Sequence, residues 1–467
     1  MAIEKTKIVI IGGGPGGYVA AIKAAQLGAA VTLVEKTYLG GTCLNVGCIP
    51  TKALLHTAEI YETSKEGAAC GVIADVKLDF TAAQKYKSGI TKQLVSGIKG
   101  LLAANKVKVI FGTASFEDAK TIKVITDKGA TETLKADKVI VATGSEPAKP
   151  PIPGIDSKQC IDSTGALELS EVPKTMVIIG GGVIGVEMGS LYATLGTKVT
   201  IVEMLEEILP MMDRELTKIL KAKMAAKGIE IFTEAKVVGI EDGGAEAKVS
   251  VAMKDGSQKA FSGEKVLISI GRRSNTGALN LDKAGIASER GLIKVNDKME
   301  TNVAGVYAIG DCNGRSMLAH VASAQGEVAA ENAMGHESIS SLKTNASCIY
   351  TNPEFASVGL TEEQAKAQGI DYVVGKFPLM ANGKSLIMEA GDGMFKVIMG
   401  KEFKEVLGFH LLGPRATDLI AECALAIDLE ATLDEFMETI HAHPTVAEAV
   451  REAVLAADKK AIHIPNK

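Results

Sequence analysis

No uncharged apolar run in this 467-residue chain approaches the ~20 residues needed to cross a bilayer. The start, MAIEKTKIVIIGGG, carries Glu4, Lys5 and Lys7 and only four apolar residues before the first glycine. No membrane span and no secretory leader are expected, which leaves a cytoplasmic protein. There is no basic block either: 51 basic residues stand against 56 acidic ones for a net charge of −5, so nucleic acid and anionic membrane are poor partners. Cysteine is sparse and odd in number, seven in all, too thin for a secreted disulfide framework. In a reducing compartment a persistent structural bridge is not expected, whereas a catalytic one is. Cys70, Cys160, Cys312, Cys348 and Cys423 have no partner at motif spacing and read as small buried hydrophobes. No His/Cys cluster has metal-ligand spacing, so no metal is expected.

What is present is length enough for about three domains and 46% hydrophobic residues to build their cores. The stretch GGTCLNVGCIPTK, residues 40–52, places Cys43 and Cys48 five positions apart, ahead of a helix predicted over residues 49–63. A regular helix would hold such a pair roughly 8 to 9 Å apart at Cα, beyond the reach of a disulfide. Closure therefore needs a distorted first turn, which Gly47 and Pro50 can supply. The pair reads as one that closes and reopens.

Residues 8–11 form an apolar strand that runs into GGGPGG, then a small-residue helix over 18–27, then a strand over 31–34 ending in Glu35. Gly12, Gly14 and Gly17 make G-x-G-x-x-G, and with its flanking strands and terminal acid this pattern predicts a dinucleotide site. The glycines let backbone approach a pyrophosphate, the helix N-terminus offers free N–H groups, and Glu35 can accept from a ribose hydroxyl. The unit recurs at Gly180, Gly182, Gly185 and Glu203, offset by 168 positions (180 − 12 and 203 − 35). Two dinucleotides are expected. An acid in the Glu203 position suits a free 2′-hydroxyl and repels a 2′-phosphate, so a nicotinamide cofactor there should be NAD.

Residues 138–145, ending in Thr143-Gly144-Ser145, read as a strand with a small-residue turn that lets backbone approach a ligand, and the Pro-rich stretch 146–154 reads as a boundary. A second such strand, 265–270, leads into Gly271. A third ends in Gly310-Asp311-Cys312 before a helix over 320–333, where an open α/β sheet holds ligands. From residue 347 the pattern changes to alternating strands and Ala/Glu-rich helices, a separate α+β domain that carries HAHPTVAEA near its end.

These motifs, in this order and over the whole length, resemble the pyridine nucleotide-disulfide oxidoreductases. The resemblance implies an α/β fold: two Rossmann-like dinucleotide-binding domains and a C-terminal α+β dimerisation domain. The boundaries follow as FAD-binding 1–150, NAD-binding 151–280, a second part of the FAD-binding or central domain at 281–346, and dimerisation 347–467. Carried over by position, Gly12, Gly14, Gly17 and Glu35 hold FAD, with Gly112, Thr143, Gly144, Asp311 and Ala319 completing its site. Lys52 sits by the flavin with Glu187 as its partner. Gly180, Gly182, Gly185, Glu203 and Gly271 bind NAD, and Val237 lies near the adenine.

Within the family, the resemblance points to flavin-dependent oxidation of protein-bound dihydrolipoamide with reduction of NAD to NADH. Cys43 meets the lipoyl sulfur and Cys48 faces the flavin. His443 serves as base, with Glu448 fixing its tautomer, and reaches the thiols from the other subunit of a homodimer. His441 has no assigned role. The implied partners are lipoyl domains and the acyltransferase core of 2-oxo acid dehydrogenase complexes, or the glycine cleavage lipoyl protein. With the first strand at about Lys7, no fused lipoyl domain is expected. An NADPH-dependent reductase of disulfides or mercuric ion is the alternative; Glu203 and a C-terminal tail without paired cysteines argue against it. A scaffold without turnover is disfavoured by the intact Cys43, Cys48, His443 and Glu448. Two departures, Thr51 where the family often has Ser and Ser274 where it often has Pro, touch no proposed chemical role.

Overall fold

The structure is a computed structural model and describes residues 5–466. A seven-stranded sheet holds the strands Val306–Ala308, Lys138–Val141, Lys7–Ile11, Ala30–Glu35, Lys108–Asp118, Thr121–Thr126 and Thr131–Lys135, in that spatial order. The first five run parallel. Ile8 through Ile11 are all buried, which is why this strand reads as continuous apolar rather than alternating. Pro15 opens the helix Pro15–Gln26 at a position where a missing N–H costs nothing. That helix lies against the helix Ala319–Ala333, and the crossing is backbone on backbone: a Cβ at Gly16 would come within 2.8 Å of the Ala322 carbonyl, and one at Gly326 within 2.6 Å of the Gly16 carbonyl. The close crossing brings two helix N-termini to one end of the sheet.

A second, five-stranded parallel sheet repeats the arrangement with Glu230–Phe232, Lys198–Val202, Thr175–Ile179, Lys265–Ile268 and Cys160–Ile161. The chain leaves the first unit along Ser145–Pro147 and returns along Arg272–Ser274, and these two connections pair antiparallel as a ribbon between the units. The strand expected over 265–270 stops at Ile268 because Gly271, at φ +114°, turns the chain into this ribbon. The strand before Asp311 is likewise short, and Gly310–Asn313 form one turn of 3₁₀ helix.

The last unit is a five-stranded antiparallel sheet, Ser347–Ile349, Glu354–Gly359, Val406–Gly413, Met394–Gly400 and Tyr372–Pro378, with the helices Ala416–Asp428 and Glu448–Ala457 packed on it. The α/β plan with two Rossmann-like units and a C-terminal α+β unit is thus as read from the motifs. Among the described residues no helix is long and apolar enough to cross a membrane.

The last unit is tied to the second by a buried cation. Lys396 has a side chain only 2% exposed, and its Nζ lies 2.9 Å from Asp213 and 3.1 Å from Glu215, with Glu362 completing the cluster. Asp213 also caps the helix Arg214–Ala226. Lys396→Met should lower stability by about 3–5 kcal/mol, because it leaves the buried Asp213 carboxylate without its counter-ion. A urea titration of both proteins reads this directly, and an unchanged midpoint would contradict it.

The expectation that five cysteines are small buried hydrophobes holds for Cys312 and Cys423. Cys160 and Cys348 are half-buried, and Cys70 is exposed, lying beside Glu389 after the long helix that follows the thiols has ended.

Candidate active site

The thiols sit where two helices meet. Gly41–Val46 carries Cys43, and the next helix, Cys48–Glu66, begins with Cys48, starting one residue earlier and ending three residues later than the sequence suggested. The break between them falls at Gly47, where a Cβ would lie 2.9 Å from the Thr42 carbonyl, so a side chain there would force the helices apart. Thr51 closes the new helix on this break, its hydroxyl donating to the Gly47 carbonyl at 2.7 Å. The departure at that position leaves a hydroxyl in place. Asn45 Nδ2 anchors the first helix to the Leu39 and Gly41 carbonyls, each at 2.9 Å.

Both cysteines are thiols here, and they are electrostatically unequal. The hydrogen bond from Cys43 and, against the opposing effect of burial, the Lys52 ammonium bring the Cys48 thiol down to about 7. The same hydrogen bond, reinforced by burial, pushes the Cys43 thiol well above its ordinary range. The proton therefore stays on Cys43 and the negative charge on Cys48.

Lys52 lies one helical turn beyond Cys48, on the same face. Its Nζ is 2.9 and 2.8 Å from the two carboxylate oxygens of Glu187, a side chain 5% exposed on the helix Val183–Thr194 of the second unit. The pairing of Lys52 with Glu187 expected from the resemblance is therefore present. Glu187 also accepts the Tyr350 backbone N–H at 3.0 Å, and the Tyr350 ring lies 4.4 Å beneath Lys52 Nζ.

Above the thiols opens a continuous cavity of about 2030 Å³, larger than the several hundred Å³ that a single small ligand usually fills. Both glycine fingerprints wall it, and they agree bond for bond. Gly12 and Gly180 adopt φ +109° and +110°. A Cβ at Gly182 would meet open space and one at Gly14 only the Gly41 Cα at 3.9 Å, leaving backbone bare to the cavity. Gly17 and Gly185 do not line it; a Cβ at either would strike the Gly12 or Gly180 carbonyl at 1.9 or 2.0 Å, so they serve helix–strand packing. Glu35 accepts from Gly13 N at 2.6 Å and Thr37 N at 2.7 Å, and Glu203 accepts from Gly181 N and Leu205 N at the same two distances. The offset of 168 thus survives as a repeat of hydrogen bonds. Each carboxylate keeps acceptor capacity for a further hydroxyl.

Gly112, Thr143, Gly144, Val237, Gly271, Asp311 and Ala319 also line the cavity. Thr143 Oγ1 is buried with no partner, a polar atom left over for a ligand. Asp311 accepts from the Ser145 hydroxyl, and Arg272 donates to that hydroxyl and to the Ser145 carbonyl, each at 2.7 Å. This Asp311–Ser145–Arg272 chain, like Tyr350, was not singled out from the sequence. The signal available, an Arg immediately after the glycine that ends a strand, has no meaning until the ribbon between the units is formed. Ser274, in that ribbon, donates to the Gly291 carbonyl at 2.7 Å.

His443 and Glu448 are not in this cavity. His443 Nδ1 lies 2.9 Å from Glu448 Oε1, and the His443 side chain is 80% exposed. Burial works against the charge of Glu448, but the Thr445 amide and His443 outweigh it and hold its carboxyl below the usual range. His441, two residues earlier, is turned inward: its Nε2 meets Glu422 at 2.8 Å, and that hydrogen bond raises its affinity for a proton. His441 pins the loop to the helix Ala416–Asp428 and leaves His443 to face outward. A single chain brings the thiols together with both nucleotide sites and keeps the His–Glu pair apart from them.

A thiol pair beneath two dinucleotide fingerprints defines a flavin- and pyridine nucleotide-dependent disulfide oxidoreductase. The chain belongs to the pyridine nucleotide-disulphide oxidoreductase family: the sequence model of that family matches residues 6–326, and that of its dimerisation domain residues 345–454. It is 44% identical to a dihydrolipoyl dehydrogenase of Geobacillus stearothermophilus over 100% of this chain and 99% of the relative. Among solved structures, LpdA of Mycobacterium tuberculosis superposes with a TM-score of 0.90 at 28% identity, over 96% of this chain and 99% of that one. The HOCl-induced flavoprotein disulfide reductase RclA of Escherichia coli gives 0.85 at 29%, over 96% and 99%. The family uses FAD and NAD(H). The residues present fit both: bare glycine backbone at two helix N-termini, an unpartnered Thr143 hydroxyl, and an acid at the end of each second strand.

Proposed function

We propose that this chain oxidises protein-bound dihydrolipoamide and delivers the electrons to NAD, as a homodimer that serves lipoyl domains of 2-oxo acid dehydrogenase or glycine cleavage complexes. The observation that carries the reading is the pair of thiols of opposite acidity under a cavity walled by two dinucleotide fingerprints; the dithiol substrate is supported by the names of the relatives. FAD is assigned to Gly12, Gly14 and Glu35 with Gly112, Thr143, Gly144, Asp311 and Ala319, and NAD to Gly180, Gly182 and Glu203 with Val237 and Gly271, while Gly17 and Gly185 act only by letting each helix pack close to its strand. When bound, FAD supplies a two-electron acceptor and NAD a hydride acceptor.

The residues of the chain perform the thiol chemistry. With Nδ1 committed to Glu448, His443 of one subunit offers Nε2 as base to a lipoyl thiol held over the disulfide of the other. The lipoyl thiolate attacks Cys43 Sγ, the Cys43–Cys48 bond breaks, and Cys48 leaves with the electron pair. Cys48 is the better leaving group because Lys52 and the Cys43 hydrogen bond stabilise its thiolate. The second lipoyl thiol then attacks the first lipoyl sulfur, closes the lipoyl disulfide and releases Cys43, which takes a proton. The products are the oxidised lipoyl ring, a Cys43 thiol and a Cys48 thiolate, the protonation pattern the electrostatics favour.

Anaerobic steady-state kinetics test the assignment. Dihydrolipoamide with NAD should be turned over far faster than NADPH with oxidised glutathione or mercuric ion, and the reverse preference would reject it. Glu203→Gln keeps an acceptor for the Gly181 amide but removes the charge. It should raise NADPH use relative to NADH about tenfold or more, since a like charge a few ångströms away costs on the order of 1–3 kcal/mol.

A further inference from the structure

We infer that Tyr350 is a positioning residue for the redox thiols: its aromatic face and its backbone N–H hold the Lys52–Glu187 pair so that the ammonium stays over Cys48. Three units of the fold meet at that ammonium. Lys52 comes from the thiol helix, Glu187 from the second nucleotide-binding unit, and Tyr350 from the end of the strand Ser347–Ile349 that opens the C-terminal unit. Lys52 has a flexible four-carbon stem, and a carboxylate alone leaves its approach angle free. The ring 4.4 Å away supplies a second attractive surface on another side, and the Tyr350 amide at 3.0 Å keeps Glu187 from rotating off. Through this clamp the C-terminal unit reaches the thiols without touching them.

The charged and titratable groups acting on Cys48 are Cys43 on the preceding helix, Lys52 on its own helix and Glu187 on the facing one. Tyr350 and Cys348, the nearest such groups from the C-terminal unit, are pushed up to about 12 and about 11, mainly by burial, and are neutral at physiological pH. Tyr350 therefore acts by its ring and amide, not by charge. The inference rests on Cys48 carrying the thiolate and not on which dithiol is oxidised.

The test uses the full-length holoenzyme equilibrated with a dithiothreitol redox buffer from pH 5.5 to 8.5, acid-quenched and alkylated, with the reduced fraction of the 37–52 peptide counted by mass spectrometry. The equilibrium constant for reducing the disulfide should be flat below the Cys48 midpoint and climb about tenfold per pH unit above it, because one proton is then released. In the wild type the bend falls near the Cys48 value of about 7. Tyr350→Leu should move it upward by roughly half a unit, the weight of one partly desolvated cation–π contact. Tyr350→Phe should leave the bend in place, and Tyr350→Met gives the same reading as Leu if the Leu variant does not fold. A bend that stays put in Leu or Met, or that moves as far in Phe, overturns the inference. No lipoyl substrate or NAD enters the measurement, so its outcome is separate from that of the proposed function.

Discussion

Cys48→Ser should abolish dihydrolipoamide oxidation, with a loss of at least about 10⁴-fold in kcat, because members of one catalytic unit fail together when any is removed. The serine hydroxyl can neither form the disulfide nor leave as a stabilised anion at neutral pH. The folded state should be little affected, since Cys48 borders the open cavity at a helix start. A control separates the thiols from the nucleotide sites: oxidation of NADH by ferricyanide, which bypasses the disulfide, should persist in the variant. Retained lipoamide turnover would mean that the Cys43–Cys48 pair is not the electron path. Loss of both activities would instead point to a damaged cavity.

His443→Gln should lower kcat for dihydrolipoamide by about 10²–10⁴-fold, the usual weight of a positioned general base, again with the ferricyanide reaction spared. Glu448→Gln should cost less, because the amide still accepts from the imidazole but no longer stabilises its charged form. In one chain His443 is exposed and absent from the cavity that holds the thiols, so in the proposed mechanism a second subunit completes the site. Mixing Cys43→Ser and His443→Gln chains should therefore restore about a quarter of wild-type activity: half the dimers are hybrid, and each hybrid has one intact site of two. If subunit exchange is demonstrated and activity stays at background, the shared site is wrong.

Much of the fold was legible because its signals are local. A glycine at φ +110°, an apolar strand and a terminal acid are each properties of a few adjacent residues. Their recurrence at a constant offset was therefore visible in the chain, and it reappears as matching hydrogen bonds at Gly13 and Gly181. Gly47 was likewise readable as the point of distortion between the thiols, although the second short helix it creates was not. The contacts that set the chemistry were less legible. Lys52 and Glu187 are 135 positions apart, and only the resemblance paired them; the Tyr350 ring and amide completing that pair had no sequence signal, and nothing in the sequence joined Arg272 and Ser145 to Asp311 across the ribbon.

The sequence by itself determined that there would be two dinucleotide-binding units, a reversible thiol pair and a C-terminal domain with a His–Glu pair. Each depends on backbone conformations and residue types at short, fixed spacing. Only the tertiary structure decided which thiol bears the charge and that His443 faces away from the thiols of its own chain. The first is set by how the bend at Gly47 and the helix after it bring Cys43, Cys48 and Lys52 together, with Glu187 holding Lys52 from the facing unit, and the second by how the C-terminal unit packs; neither three-dimensional arrangement is written in the order of residues along the chain.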